Sequence, residues 1–208
     1  MNTISYLKEV YGYATPIFLK DIRIGRKSKT AIRKDLSRAV ERGEIIREKN
    51  GVYWFKEDTD IPREVSFEQI IELKFINDDH GLSGYDLDIF GYYTGLTFLN
   101  HIGITQQVPA VRTIATNNTS CTRVYVANGY SAIIKKGVTQ INRANYKALQ
   151  FFDAIKSLNI DEIIKNKDLL KKYILNNLTK DDFGGYIRHY PSSTMKKIVE
   201  TGLINAFR

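Results

Sequence analysis

The sequence predicts an α+β protein in two parts. Residues 1–60 form a module of helices closed by a β-hairpin, and residues 61–208 form a mixed α/β domain with a small sheet packed by helices. Three observations predict this. The opening stretch carries apolar residues at helical spacing in short blocks, then two strand-like runs around Asn50-Gly51. An acidic stretch ending in proline, Glu57 to Pro62, reads as a linker. Beyond it, helical and strand periods mix, with no internal repeat and no low-complexity run. With 208 residues, 43% hydrophobic and 12% aromatic, the chain can build one or two cores and is not a disordered polymer.

Taken in order, Thr3–Tyr13 places Ile4, Leu7 and Tyr11 on one helical face, and Gly12 and Thr15-Pro16 end it. Pro16–Ile22 predicts a short second helix with Phe18, Leu19 and Ile22 inward. Ser28 is an expected N-cap for a third helix over Lys29–Arg42, which Gly43 closes in the left-handed region. Glu44–Glu48 and Val52–Lys56 are the strands of a hairpin, with Val52 and Trp54 on one face and Tyr53 and Phe55 on the other. The module therefore reads α-α-α-β-β. In the second part, Ser66 caps a helix with Phe67, Ile70 and Ile71 inward. Residues 78–84 form a loop. Gly91–Ile104 reads as a buried helix, and Val111–Ala115, Arg123–Ala127 and Ala132–Lys135 as strands. Asn145–Ser157, Asp161–Leu178 and Thr194–Leu203 read as helices.

Charge is the strongest functional signal. The formal net charge is +8 and the pI is near 9.4. From Lys20 to Lys49 there are 11 Lys/Arg against 5 Asp/Glu, whereas from residue 61 onward there are 18 against 14. A concentrated basic segment points to a polyanionic partner. The single cysteine, Cys121, excludes an intramolecular disulfide and fits a reducing compartment. With no apolar run after a basic start, and no stretch of 18 apolar residues, the expected location is cytoplasmic and no membrane partner is expected. Asn118-Thr119-Ser120 reads as a polar turn rather than a glycosylation site.

On a helical wheel the third helix buries Ile32, Leu36, Ala39 and Val40 and turns Thr30, Lys34, Ser37 and Glu41 outward, with Lys27, Lys29, Arg33 and Arg38 on the flanks. A basic third helix followed by a hairpin is the pattern of a winged helix-turn-helix, whose recognition helix enters a major groove of double-stranded DNA. An arginine there meets guanine O6 and N7, and a lysine meets phosphate. The expected contacts are Lys27, Ser28, Lys29, Thr30, Arg33, Lys34, Ser37 and Arg38, with Lys49 and Asn50 at the hairpin tip. Glu41 confines them to the first half of the helix. A merely solvated basic face is the competing explanation for the helix taken alone.

A search for catalysis finds little. His80, His101 and His189 lack a second ligand at metal spacing, Cys121 is isolated, and neither a phosphate loop nor a nucleophile elbow occurs. Asp86 and Asp88 share a strand face and Glu72-Leu73-Lys74 resembles half of a nuclease site, but the order and the helical setting of Glu72 are wrong for one. No enzyme activity, metal or cofactor is expected. Arg112, Arg123, Lys135 and Lys136 form a candidate second basic surface. Lys165, Lys167, Lys171 and Lys172 read better as a solvated helix face.

The most distinctive stretch runs from Gly91 to Asn117. It contains Asn100-His101-Ile102-Gly103-Ile104, Thr105-Gln106-Gln107-Val108-Pro109 and Thr116-Asn117. Read from its residues alone, it is more scaffold than site. It resembles the C-terminal domain of AbiEi-type antitoxins of type IV toxin–antitoxin systems, which act in bacterial abortive infection and phage defence. The family pattern is Asn-x-x-Gly-Leu followed by a Thr-Gln-Val-Pro turn, from which the extra Gln and Ile104 for Leu depart. The opening module fits the resemblance through its basic-Gly helix end and Gly51-Val52-Tyr53, and the last 45 residues match only in being helical. The resemblance implies negative autoregulation: a transcriptional repressor that binds inverted repeats in its own promoter, two copies on DNA. It further implies an antitoxin domain over residues 61–208 that counters an AbiEii-type nucleotidyltransferase toxin without a stable complex. The alternative is a winged-helix regulator whose second domain senses a ligand or dimerises, with no toxin partner.

Overall fold

The computed structural model describes residues 2–48, 51–78, 88–127 and 129–207. Contacts divide the chain into two compact units, which among the described residues are 2–74 with 78, 126–127 and 129–130, and 75–77, 88–125 and 131–207. The protein is mixed α+β.

The first unit begins with α1 (Thr3–Tyr11), capped by the Asn2 side chain on the Ile4 N–H. Strand β1 follows at Ile17–Phe18. This corrects the expected helix over Pro16–Ile22. Ile17 and Phe18 pair with Tyr53 and Val52, and the Leu19 N–H donates to the Gly51 carbonyl. Residues 20–28 run as turns, with Arg23 Nη1 donating to the Lys20 and Ile22 carbonyls. The described part of the module up to the hairpin is therefore α-β-α-β-β. Pairing with β3 explains the change, because two apolar residues suit a helix or a strand and Pro16 is compatible with either start.

Helix α2 (Lys29–Glu41) fulfils the expectation for the third helix. Ser28 Oγ accepts from the Ala31 N–H, and Gly43 takes φ +71. The Gly43 and Glu44 N–H groups donate back to Val40 and Ala39, which closes the helix. Strands β2 (Ile46–Glu48) and β3 (Val52–Trp54) complete an antiparallel sheet in the order β1-β3-β2. Val52, Tyr53, Trp54 and Phe55 are all buried, so both faces of this stretch are covered and the expected in–out alternation is absent. The core gathers Leu7, Ile17, Ile22, Ile32, Leu36 and Ala39 with Ile45, Tyr53 and Phe55. Helix α3 (Phe67–Phe75) starts at a reciprocal cap, in which Ser66 Oγ accepts from the Gln69 N–H and Gln69 Oε1 from the Ser66 N–H.

The second unit opens on β4 (Gly91–Tyr93) and α4 (Gly95–His101), where one helix over Gly91–Ile104 was expected. Gly91 is the reason. A Cβ there would lie 1.9 Å from the Phe75 carbonyl oxygen and 2.8 Å from that of Ala115, so this residue admits two backbones at close range. Strands β5 (Val111–Thr116), β6 (Arg123–Ala127) and β7 (Tyr130–Lys136) stand where expected. The sheet order is β4-β5-β7-β6, with β4 antiparallel and β7 parallel to β5.

Helix α5 (Tyr146–Ser157) buries Ala148, Leu149, Phe151, Phe152, Ala154 and Ile155 and is the spine of the main core. The expected single helix over Asp161–Leu178 is two, α6 (Ile160–Lys165) and α7 (Lys167–Asn177), broken at Asn166. An unexpected α8 (Lys180–Tyr186) starts at a capping box between Thr179 and Asp182. Helix α9 (Ser192–Glu200) ends earlier than expected, at a left-handed Gly202.

Candidate nucleic-acid interface

Burial of Ile32, Leu36 and Ala39 fixes the rotation of α2. Lys29, Thr30, Arg33, Lys34, Ser37 and Arg38 are all exposed as a result. Lys29, Arg33 and Lys34 form no ion pair with any described residue, so their charge faces solvent. Glu41 is exposed at the end of the helix, and Arg42 beyond it makes a two-pronged contact with Glu44 at 2.6 and 3.0 Å. Six of the ten expected contact residues thus lie together on one accessible face.

Two others have structural work. Lys27 Nζ lies 2.5 Å from Asp35 Oδ2 and 2.6 Å from Thr3 Oγ1, and Thr3 Oγ1 also bonds Asp35. This clasp joins α1 to α2. The hydroxyl of Ser28 is the cap of α2. Lys49 and Asn50 lie outside the described residues, as do His80 and Asp86.

A cleft of about 290 Å³ opens beside the first turns of α2. Lys20, Lys29, Arg33 and Lys74 line it over Phe18, with Gly51 at its edge. The Lys74 ammonium sits 5.8 Å from the Phe18 ring centroid. Four cations around a groove next to an exposed basic helix suit a phosphate backbone. Sequence reasoning overlooked Lys20 and Lys74. In the sequence Lys74 belongs only to the Glu72-Leu73-Lys74 half-motif, and just the fold of the first unit brings it to α2.

The four residues of the candidate second basic surface have different settings. Arg112 is half-buried and its Nη1 donates to the Pro109 carbonyl. Arg123 lies 5.9 Å from the Phe75 ring centroid. Lys135 and Lys136 pair in register with Ala115 and Thr116, at the far end of β5 from Arg112. Arg112 and Ala115 are three steps apart along β5, about 10 Å.

Several polar side chains of the Gly91–Asn117 stretch bond within the fold. Asn100 Nδ2 donates to the Thr105 carbonyl, and Thr116 Oγ1 donates to that of Phe90. The Asn117 amide donates to the Ile141 carbonyl at 2.8 Å and accepts from its N–H at 2.9 Å. Among the described residues no group of three His, Cys, Asp or Glu could hold a metal, and no helix is long and apolar enough to cross a membrane. No family model, curated protein or solved structure matches the chain.

Proposed function

We propose that the first unit is a winged-helix reader of double-stranded DNA, and that the chain is an autorepressing antitoxin of the AbiEi kind. The observation that carries the DNA reading is the exposed face of α2. Lys29, Thr30, Arg33, Lys34, Ser37 and Arg38 project from a helix whose other face is locked into the core by Ile32, Leu36 and Ala39. The β2–β3 hairpin and the cleft of Lys20, Lys29, Arg33 and Lys74 supply flanking backbone contacts. With β1 and turns in place of a middle helix, α1 braces the reader directly through the Lys27–Asp35–Thr3 clasp. The antitoxin part rests on the Gly91–Asn117 resemblance. In this reading two copies bind inverted repeats in the chain's own promoter, and the second unit counters a nucleotidyltransferase toxin without a lasting complex.

Gel-shift titration on the DNA upstream of the chain's own gene tests the DNA part. Arg33→Ala or Lys34→Ala weakens binding by about 1–3 kcal/mol where the residue meets a base. Unchanged affinity for both removes α2 from the interface. Co-expression of the full chain with the neighbouring gene's product tests the antitoxin part. Restored growth supports it, and continued toxicity rejects it in favour of a regulator without a toxin.

A further inference from the structure

We propose that the second unit holds a binding pocket for a small phosphorylated polyol of about pentose-phosphate size. The cavity measures about 300 Å³, at the lower end of the range for small-molecule sites. It lies where the parallel strands β5 and β7 end, lined there by Ala115, Lys135 and Lys136. Ligands of open sheets with parallel strands sit at the carboxyl ends of those strands. This inference goes beyond the DNA reading and does not depend on it.

The rim is cationic. Lys135, Lys136 and Lys156 are exposed and all line the cavity, and neither Lys135 nor Lys136 forms an ion pair with any described residue. A phosphate monoester carries about −1.5 to −2 at neutral pH and three acceptor oxygens, which three ammonium donors match.

The floor is the opposite. Asp153 lies half-buried on α5, and its Oδ2 accepts from Tyr92 Oη at 3.1 Å and from Thr94 Oγ1 at 3.0 Å. Those two bonds hold the carboxylate in one orientation at the cavity wall. An anion alone gains nothing from a carboxylate, but a hydroxyl gains an acceptor. The pairing of a cationic rim with a fixed acidic floor selects a ligand with phosphate at one end and hydroxyls at the other. Gly95, with φ +60 and no side chain, and Ala115, with a small one, leave the mouth open.

Titration calorimetry of the full chain at fixed ionic strength, with ribose 5-phosphate, inorganic phosphate and ribose as separate probes, tests the proposal. Ribose 5-phosphate binds saturably, inorganic phosphate binds about tenfold more weakly, and ribose alone gives no heat. Lys135→Ala with Lys136→Ala, both exposed and harmless to the core, lowers affinity for ribose 5-phosphate at least about tenfold. Asp153→Asn, checked for folding by circular dichroism, loses the preference for ribose 5-phosphate over phosphate. No saturable binding of ribose 5-phosphate below about 10 mM overturns the pocket. Equal affinity for phosphate and ribose 5-phosphate, or a double-lysine variant that binds like the parent, overturns the assignment of the ligand. Promoter binding is read separately, so failure here leaves the DNA reading standing.

Discussion

Lys27 Nζ and Asp35 Oδ2 are 2.5 Å apart, and Thr3 joins both of them across from α1. This pair places a lysine at the edge of the basic segment in service of the fold. The hydrogen bond from Lys27, helped by that from Thr3, holds the Asp35 carboxyl below its ordinary range. A depressed carboxylate stabilises the fold above the unfolded value near 3.9, and that stability is lost as pH falls through the depressed folded value. Lys27→Ala should cost about 1 kcal/mol in urea unfolding at neutral pH, because the pair is part-exposed. Asp35→Asn should show less loss of stability than the parent on going from pH 5 to pH 2. DNA affinity should change less for Lys27→Ala than for Arg33→Ala. The reverse order would return Lys27 to the interface.

Lys74 gives a second prediction. Lys74→Glu should weaken DNA binding by a similar factor for specific and unrelated sequences, and should reduce the slope of log affinity against log salt by about one. Lys20→Glu should behave likewise, since both line the cleft beside Arg33 and Lys29. A loss confined to the specific sequence would mean base contact instead. An unchanged slope would take the cleft out of the DNA path.

Asn117 gives a third. Its amide makes a reciprocal pair with the backbone of Ile141. Asn117→Ala would leave a buried N–H and C=O without partners and should cost about 2–4 kcal/mol in denaturant unfolding. Asn117→Asp sets a carboxylate oxygen against the Ile141 carbonyl, so at neutral pH its cost should be at least that of Asn117→Ala. Promoter affinity per folded molecule should not change. An Asn117→Ala protein that is stable but fails as an antitoxin would make this residue functional rather than structural.

These outcomes bear on what could be read from the chain. Ser28 and Gly43 bracket α2 as local capping chemistry dictates, and Ile32, Leu36 and Ala39 set its face by spacing alone. Such signals span a few residues and are visible in sequence. Ile17-Phe18 is different, because two apolar residues suit a helix or a strand, and pairing with Val52 and Tyr53 decides between them. Gly91 reads as the start of a helix until the Phe75 and Ala115 carbonyls come within reach. Arg112 reads in sequence as part of a basic surface, and only the fold shows its Nη1 donating to the Pro109 carbonyl. The cleft of Lys20 and Lys74 and the pocket of Asp153 join residues far apart in the chain, and no local periodicity encodes that.

Asp153 supports the last prediction. Burial raises its carboxyl above the ordinary 3.8, against the opposing hydrogen bonds from Thr94 and Tyr92. The folded chain therefore holds this proton more tightly than the unfolded chain does. The resulting stability is full below the unfolded value and is lost as pH rises through the raised folded value. Asp35 and Glu57, held low by Lys27 and Arg63, act in the opposite direction, so the test is a difference between proteins rather than one curve. Asp153→Asn stays neutral at every pH. Its melting temperature relative to the parent should rise as pH climbs above about 4, and the difference should level off once the parent's Asp153 is ionised in the fold as well. A constant difference would mean that Asp153 ionises as freely in the fold as in the unfolded chain. A variant that falls further behind as pH rises would mean that the ionised carboxylate is the stabilising form, drawn there by Lys156 and its hydrogen-bond donors.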